Sequence, residues 1–379
     1  MIKRKIALIG STGSIGRQTL SVCRRYPEKF EIVSLSAGSN ASLLAEQIKE
    51  FKPKVATIAC EDGFINPDAG TQIFTGEDSF TNAILDEADV VVVALVGFKG
   101  IIAVLDAISK KKDIALANKE SLVVGGGLVM RLAKENGVSI APIDSEHSAI
   151  WQALNMKYDT PFKKIILTAS GGAFRDLTAK QLETVTAQDA LKHPNWDMGA
   201  KITVDCATLV NKGFEVIEAK WLYGARFEDI EVIIHRESII HSMVEFVDGS
   251  TLAQMSYPSM ELPIQLALTY PERLPCLNEG VNFAKLKSLT FSEPDHQRFP
   301  CLNLVIRAGK MGGCYPAVVN GANEQAVKLF LQGKISYLDI YESLADALDA
   351  FDGEHKESFE NFKCADEFAR RFVLEKFKV

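Results

Sequence analysis

The stretch Lys5 to Gly16, "KIALIGSTGSIG", decides the fold. A short apolar, β-branched run meets Gly10, Gly13 and Gly16, and a helix opens directly behind them. Strand, glycine turn and helix in that order let backbone N–H groups and a helix N-terminus meet a pyrophosphate. The spacing is GxxGxxG rather than GxGxxG, and a glycine turn alone also fits a plain tight connection. The flanking strand, the helix and a further strand favour dinucleotide binding. That further strand ends in "SAGSN", where Gly38, Ser39 and Asn40 offer no carboxylate to hold a ribose 2′-OH or to repel a 2′-phosphate. NADP(H) is therefore expected rather than NAD(H).

Outward from this stretch, "EIVSLSAG", "KVATIA", "DVVVVALVG", "DIALAN" and "VSIAPID" alternate with amphipathic segments such as "ASLLAEQIKEF", for which Asn40 is a plausible N-cap. The pattern predicts a parallel α/β sheet, a Rossmann-like nucleotide domain, over residues 1–144. Over 145–270 the texture changes to "KKIILTASGG", "AKITVD" and "IEVIIH", read as strands. Two runs joined by Asp248-Gly249 follow, a strong hairpin signal. This reads as a central α+β domain with an antiparallel portion. Residues 271–300 lack periodicity and read as a linker, and 301–379 carries only amphipathic helices, a C-terminal helical bundle.

The 379 residues suffice for two or three cores, and 47% hydrophobic with 24% charged residues is ordinary globular composition. A net charge of -7 argues against a broad nucleic-acid surface. No apolar run is long enough to span a membrane, and the N-terminus opens on a strand without a signal pattern. Cysteines at 23, 60, 206, 276, 301, 314 and 364 form no CxxC pair, which fits a reducing cytoplasm.

The chemistry clusters at predicted strand ends. "ALANKES" puts Asn118, Lys119 and Glu120 at the carboxyl end of a strand, where ligands lie in open α/β sheets; a helix cap with a charged first turn explains them equally well. "PIDSEHSAIWQ" follows the next strand and sets Asp144 and Glu146 two residues apart around Ser145. One acid suffices to cap a helix, and a second so close is repelled unless a cation lies between them. Hard oxygen ligands suit magnesium or manganese. A candidate third acid is Glu215, which shares a helical face with Asn211 and lies beside Lys212; Glu218 and Glu228 are rivals on charge alone. "TASGG", with Ser170, is a polar glycine turn at a strand end that reads either as a plain turn or as a source of backbone and hydroxyl donors to a phosphate. "LKHPNWDMGAK" holds His193, Trp196 and Met198 in an irregular segment that reads as an anchored loop or as a lid. Cys206, at an expected strand-to-helix junction, supports a rival reading as the thiolate of a semialdehyde-type NADP-dependent dehydrogenase.

With "GSTGSIG", "ALANKE", "DSEHSAIWQ", "TASGGAFRD", "HPNWDMG", "VDCATLVNKGFEVIEA" and "PAVVNGANEQAV" in order, the chain closely resembles the 1-deoxy-D-xylulose 5-phosphate reductoisomerase family over almost its whole length. The resemblance implies a homodimeric enzyme of the non-mevalonate isoprenoid route, with catalysis and dimerisation assigned to the 145–270 domain. Such an enzyme uses NADPH and a divalent metal (Mg²⁺, Mn²⁺ or Co²⁺) to isomerise and reduce its substrate to 2-C-methyl-D-erythritol 4-phosphate. It implies Asp144, Glu146 and Glu215 as metal ligands. Lys119, Ser145, Ser170, Asn211 and Lys212 would be on the substrate, and His193 with Trp196 in a closing loop. Thr12, Gly13, Ser14, Ile15, Gly38, Asn40, Asn118, Glu120 and Gly199 match cofactor positions, with Ser39 where members often carry Lys. Cys206 stands where members commonly carry a phosphate-contacting Ser.

Overall fold

The computed structural model describes residues 3–60, 62–275 and 279–379, so Cys276 and part of the expected linker lie outside the described residues. The chain divides into two compact units. The first takes the chain up to Ser121, Val129–Ser148 and the stretch beginning at Ser259; the second takes Leu122–Leu128, Ala149–Pro258 and Glu279–Val379.

The first unit is built on seven strands: β1 (Arg4–Ile9), β2 (Phe30–Ala37), β3 (Val55–Ile58), β4 (Gln72–Thr75), β5 (Val90–Val93), β6 (Asp113–Leu116) and β7 (Ile140–Pro142). They run parallel in the order β4-β3-β2-β1-β5-β6-β7. Without the edge strand β4 this is the doubly wound order, with its switch point between β1 and β5. The β-branched run Val90–Val93 is buried at every position, as a parallel strand covered on both faces must be. Four helices, Ser14–Arg25, Ala41–Phe51, Lys99–Ser109 and Glu120–Asn136, lie between these strands in the chain. Asn40 caps the second of them, its side chain accepting from the Leu43 N–H at 3.1 Å. Strand β4 is not among the sequence expectations: Gln72 and Thr75 are exposed and only Ile73 and Phe74 half-buried, a weak edge signature.

The helix Glu261–Thr269 also belongs to this unit, far along the chain from its neighbours. It packs against the helix Ser14–Arg25 and close to β6 and β7. Its Ile264, Ala267 and Leu268 join the same core as Leu20, Cys23 and Ile143. Two polar contacts pin it: Arg4 Nη1 donates to the Leu268 carbonyl at 2.7 Å and Ser21 Oγ to Glu261 Oε1 at 2.9 Å.

The second unit holds a four-stranded sheet of β8 (Lys164–Ala169), β9 (Ile230–Ile234), β10 (Ile240–Glu245) and β11 (Thr251–Met255), in the order β11-β10-β8-β9. The β8/β9 pair is parallel and the other two pairs are antiparallel. The Asp248-Gly249 hairpin forms as read, with Gly249 at φ 85° and Asp248 Oδ1 accepting from Ser250 N at 2.9 Å. The stretch "AKITVD" is not a strand: it lies in the helix Ala200–Thr208. Ile202, Thr203 and Val204 carry strand propensity, but Thr203 and Val204 bury in a helical packing and Lys201 reaches Asp205 one turn on at 2.8 Å. Tertiary burial outweighs local preference there.

The helices Cys301–Met311, Tyr315–Leu331, Leu338–Ala350 and Phe359–Phe377 follow, the second packed on both the third and the fourth. Arg370 clamps Asp366 at 2.6 Å and Glu324 at 2.7 Å, fastening the fourth helix to the second. The expected α/β class, with its N-terminal parallel sheet, α+β portion and C-terminal helices, is what the chain adopts. Among the described residues, no helix is long and apolar enough to cross a membrane.

Candidate active site

In the first unit the polar side chains emerge from the carboxyl ends of β1, β2, β6 and β7. At β1, Gly10 and Ser11 both donate from their backbone N–H to the Ser36 carbonyl, at 3.0 and 2.7 Å. Ser11 and Gln47 then bond reciprocally, Oγ to Oε1 at 2.7 Å and Nε2 to the Ser11 carbonyl at 3.0 Å, which locks the turn to the helix Ala41–Phe51. Gly10 has φ 96°, and a Cβ on Gly16 would stand 2.2 Å from the Gly10 carbonyl oxygen, so the tight turn excludes side chains at both. Gly13 is the N-cap of the helix Ser14–Arg25 with no side-chain cap, and it is exposed, with Thr12, Ser14 and Ile15 half-exposed beside it. The N–H groups of this helix end stay available to an anion. Gly38, Ser39 and Asn40, at the end of β2, are all exposed.

Asn118 is buried and heavily committed within the protein. Its Nδ2 donates to the carbonyls of Leu95 and Gly97 at 3.1 and 3.0 Å and to Glu120 Oε2 at 3.1 Å, while its Oδ1 accepts from Ser121 N at 3.0 Å. Asn118 thus ties the end of β6 to the first turn of the helix Glu120–Asn136. Lys119, only 6% exposed, points its ammonium to Asp144 Oδ2 at 2.5 Å, linking the ends of the neighbouring strands β6 and β7. Burial alone would raise the Asp144 carboxyl; the charges of Lys119 and His147 and hydrogen bonds from Lys119 and Glu146 outweigh it and hold Asp144 well below the ordinary carboxylate range. Ser145 Oγ bonds Glu146 Oε2 at the opening of the helix Ser145–Ala153.

In the second unit, the turn after β8 has Gly171 and Gly172 at φ 84° and 71°. Ser170 Oγ accepts from the Gly172 N–H at 3.2 Å and lies 2.9 Å from His193 Nε2. His193 Nδ1 accepts from the N–H groups of Asn195 and Trp196, at 3.2 and 3.0 Å, so the neutral ring carries its proton on Nε2, facing Ser170. Burial, helped by the charge of Arg175, lowers the His193 pKa to about 4. The irregular 193–199 segment is pinned by Asn195, whose Nδ2 donates to the Arg236 carbonyl at 2.6 Å and to Ser238 Oγ at 2.7 Å. Trp196 meets His241 edge-on at 5.9 Å between ring centres. Gly199 caps the helix Ala200–Thr208 and is exposed.

The helix Val210–Tyr223 begins just behind. Glu215 is fully buried; Asn211 Nδ2 donates to its Oε1 at 2.5 Å and the Lys212 ammonium to its Oε2. Of the rivals, Glu218 is buried on the same helix and Glu228 is an exposed partner of Arg226. Cys206 sits inside a helix and half-buried, not at a strand-to-helix junction, so the placement that suggested a thiolate nucleophile is absent.

A doubly wound sheet with an open glycine turn at its switch edge and a lysine–carboxylate pair at the same edge defines the class: an α/β enzyme working on a dinucleotide. The second unit adds a turn and a helix end bearing hydroxyl, imidazole, amide and ammonium groups suited to an anionic ligand.

Sequence profiles described as 1-deoxy-D-xylulose 5-phosphate reductoisomerase, the same enzyme's C-terminal domain, and DXP reductoisomerase C-terminal domain match residues 6–126, 140–223 and 255–372. The chain belongs to the 1-deoxy-D-xylulose 5-phosphate reductoisomerase family. Relatives of that name include one from Pelotomaculum thermopropionicum, 50% identical over 97% of each chain. Another, from Clostridium perfringens, is 47% identical over 99% of this chain and 100% of its own. Among solved structures, the reductoisomerase of Zymomonas mobilis in complex with NADPH superposes with TM-score 0.92 at 38% identity over the full length of both chains. A DOX-P reductoisomerase in complex with NADPH, fosmidomycin and magnesium matches with TM-score 0.92 at 37% identity, covering 99% of this chain and 98% of its own. The semialdehyde-type alternative built on Cys206 is not favoured.

Proposed function

We propose that this enzyme isomerises and reduces 1-deoxy-D-xylulose 5-phosphate to 2-C-methyl-D-erythritol 4-phosphate, using NADPH and a divalent metal, as a homodimer in the cytoplasm. The observation that carries the reading is the shared carboxyl edge of the parallel sheet, from which the open glycine turn and the Lys119–Asp144 pair both emerge. Family membership and relatives solved with NADPH and magnesium support it.

The acids fit a hard divalent cation. Asp144 and Glu146 belong to the first unit and Glu215 to the second, and all three offer carboxylate oxygens. Lysines held against Asp144 and Glu215 supply the positive charge those buried carboxylates require. Asp144, Glu146 and Glu215 would hold the metal, which supplies Lewis-acid polarisation of the substrate carbonyl and its neighbouring hydroxyl. Lys119 and Ser145 orient the substrate at the reacting end. Ser170, Cys206, Asn211 and Lys212 take its phosphate, with Cys206 the weakest donor because a thiol bonds less strongly than a hydroxyl. His193 presents a neutral N–H beside Ser170, a donor that keeps its proton at Nε2 through neutral pH. Trp196 on the same segment excludes water from the reacting carbons. Thr12, Gly13, Ser14 and Ile15 seat the pyrophosphate of NADPH on the helix N-terminus, and Gly38, Ser39 and Asn40 border its 2′-phosphate. Asn118, Glu120 and Gly199 complete the cofactor site.

The test is NADPH consumption with 1-deoxy-D-xylulose 5-phosphate after chelation, with and without added Mg²⁺ or Mn²⁺. Metal-restored turnover to 2-C-methyl-D-erythritol 4-phosphate is expected. Turnover that ignores both chelator and metal removes the acids from the chemistry.

A further inference from the structure

We propose that Tyr337 and Asn323, two buried side chains of the C-terminal helical region, are positioning residues for the phosphate end of the substrate: they hold the helix Ala200–Thr208 and the Ser170 turn in one arrangement. The inference rests on the phosphate reading of Ser170, Cys206, Asn211 and Lys212 given above.

The helix Ala200–Thr208 has nine residues, too few to be stable on local bonds alone, and both of its ends meet proposed ligand-binding segments. It starts at Gly199, and it ends at Leu209, a bulky residue at φ 63°, from which the helix bearing Asn211 and Lys212 departs. A branched side chain in the left-handed region is unfavourable and persists only where surrounding contacts impose it.

Three consecutive residues receive those contacts. Asp205, 2% exposed, accepts from Asn323 Nδ2 at 2.8 Å on one oxygen and from the Lys201 ammonium at 2.8 Å on the other. The Cys206 carbonyl oxygen lies against Gly172, where a Cβ would stand only 2.4 Å away, so the turn after Ser170 is pressed on the helix. The Ala207 carbonyl, near the helix end where intrahelical donors run out, accepts from Tyr337 Oη at 2.8 Å. Burial drives the Tyr337 hydroxyl well above its usual pKa, so it stays a donor. The same ring meets Phe174 edge-on at 5.0 Å, and Phe174 is the buried anchor of the chain leaving the Ser170 turn. Tyr337 therefore holds the turn with its ring and the helix with its hydroxyl, while Asn323 fixes the helix from a neighbouring residue. Phosphate donors tolerate only small displacements before affinity falls, which gives these remote groups leverage.

Tyr337→Phe keeps the ring and deletes only the hydroxyl. With NADPH and Mg²⁺ present, it is expected to raise KM for 1-deoxy-D-xylulose 5-phosphate about fivefold, the range of one lost hydrogen bond, with kcat within about twofold and NADPH Kd unchanged. Asn323→Ser, too short to reach Asp205, should act in the same direction and carries the test if the first variant fails to fold. In a double-mutant cycle with Ser170→Ala, the KM effects should be less than multiplicative. A lowered melting temperature with unchanged KM, or an equal loss of NADPH affinity, would overturn the inference, since either marks a merely structural role. If Ser170→Ala raises KM and Tyr337→Phe does not, the positioning claim alone fails; if Ser170→Ala, Asn211→Ala and Lys212→Ala all leave KM unchanged, the phosphate reading fails beneath it.

Discussion

Alanine at Gly16 and at Gly13 separates packing from binding within one turn. At Gly16 the added Cβ would stand 2.2 Å from the Gly10 carbonyl oxygen and 2.6 Å from Ser11 backbone carbons, against the roughly 3.2 Å or more that such contacts need. No rotamer change relieves a clash with backbone, so either the turn or the helix must move by about 1 Å; overpacking of this kind costs about 3 kcal/mol. Alanine recovers about 1 kcal/mol of helix propensity, leaving a net loss of about 2 kcal/mol. At Gly13 the nearest atom to a Cβ is the Gly10 carbonyl oxygen at 3.5 Å, an ordinary contact, and the backbone at φ -73° suits alanine, so stability should change by less than about 0.5 kcal/mol. The new methyl there projects from the open helix end and should weaken NADPH binding about tenfold. Urea denaturation measures the first quantity and fluorescence titration of NADPH the second. Wild-type stability in Gly16→Ala would refute the close approach of helix and turn; wild-type NADPH affinity in Gly13→Ala would refute the pyrophosphate seat.

Glu215→Gln and Asp144→Asn should each cut turnover by at least about a hundredfold while NADPH affinity survives, and retained turnover in either variant takes that residue out of the metal set. Cys206→Ser should leave kcat intact and lower KM by about twofold, because a hydroxyl is the better phosphate donor; abolished activity would revive the thiol mechanism. For His193 the lowered pKa of about 4 lies under its unfolded value near 6.5, so the unfolded chain binds the extra proton first. Its stabilising share is whole above pH about 6.5 and is lost as pH falls toward 4. Imidazole NMR should show a neutral, Nε2-protonated ring at pH 6, and a midpoint near 6.5 would contradict the burial.

Much of the candidate site is legible because its residues follow strands and turns with strong local signals. The glycine spacing, the strand ends before Lys119 and Asp144, and the Asp248-Gly249 hairpin are written in neighbouring residues, and so is the four-residue spacing of Asn211 and Glu215. The neutral state of His193 was not legible, because it depends on backbone N–H groups and on burial that no spacing encodes. Tyr337 and Asn323 were missed for a similar reason. Asn323 lies in an amphipathic helix and Tyr337 directly before another, both of which read as bundle core, and their partners Asp205 and Ala207 are more than a hundred residues away. The helical nature of "AKITVD" had one readable sign, Lys201 and Asp205 four apart behind a glycine, which its β-branched residues masked.

By itself, the sequence determined six of the seven strands of the first unit's parallel sheet, the antiparallel hairpin and the terminal helices, since each arises from apolar periodicity and turn chemistry within a few residues. Only the tertiary structure decided that Glu261–Thr269 returns to the first unit's core, that a strand-like segment winds into a helix, and that the Asp144 carboxylate stays charged despite its burial. Those outcomes depend on which distant surfaces exclude water together and on which charges meet there, and neither is a property of any short stretch of chain.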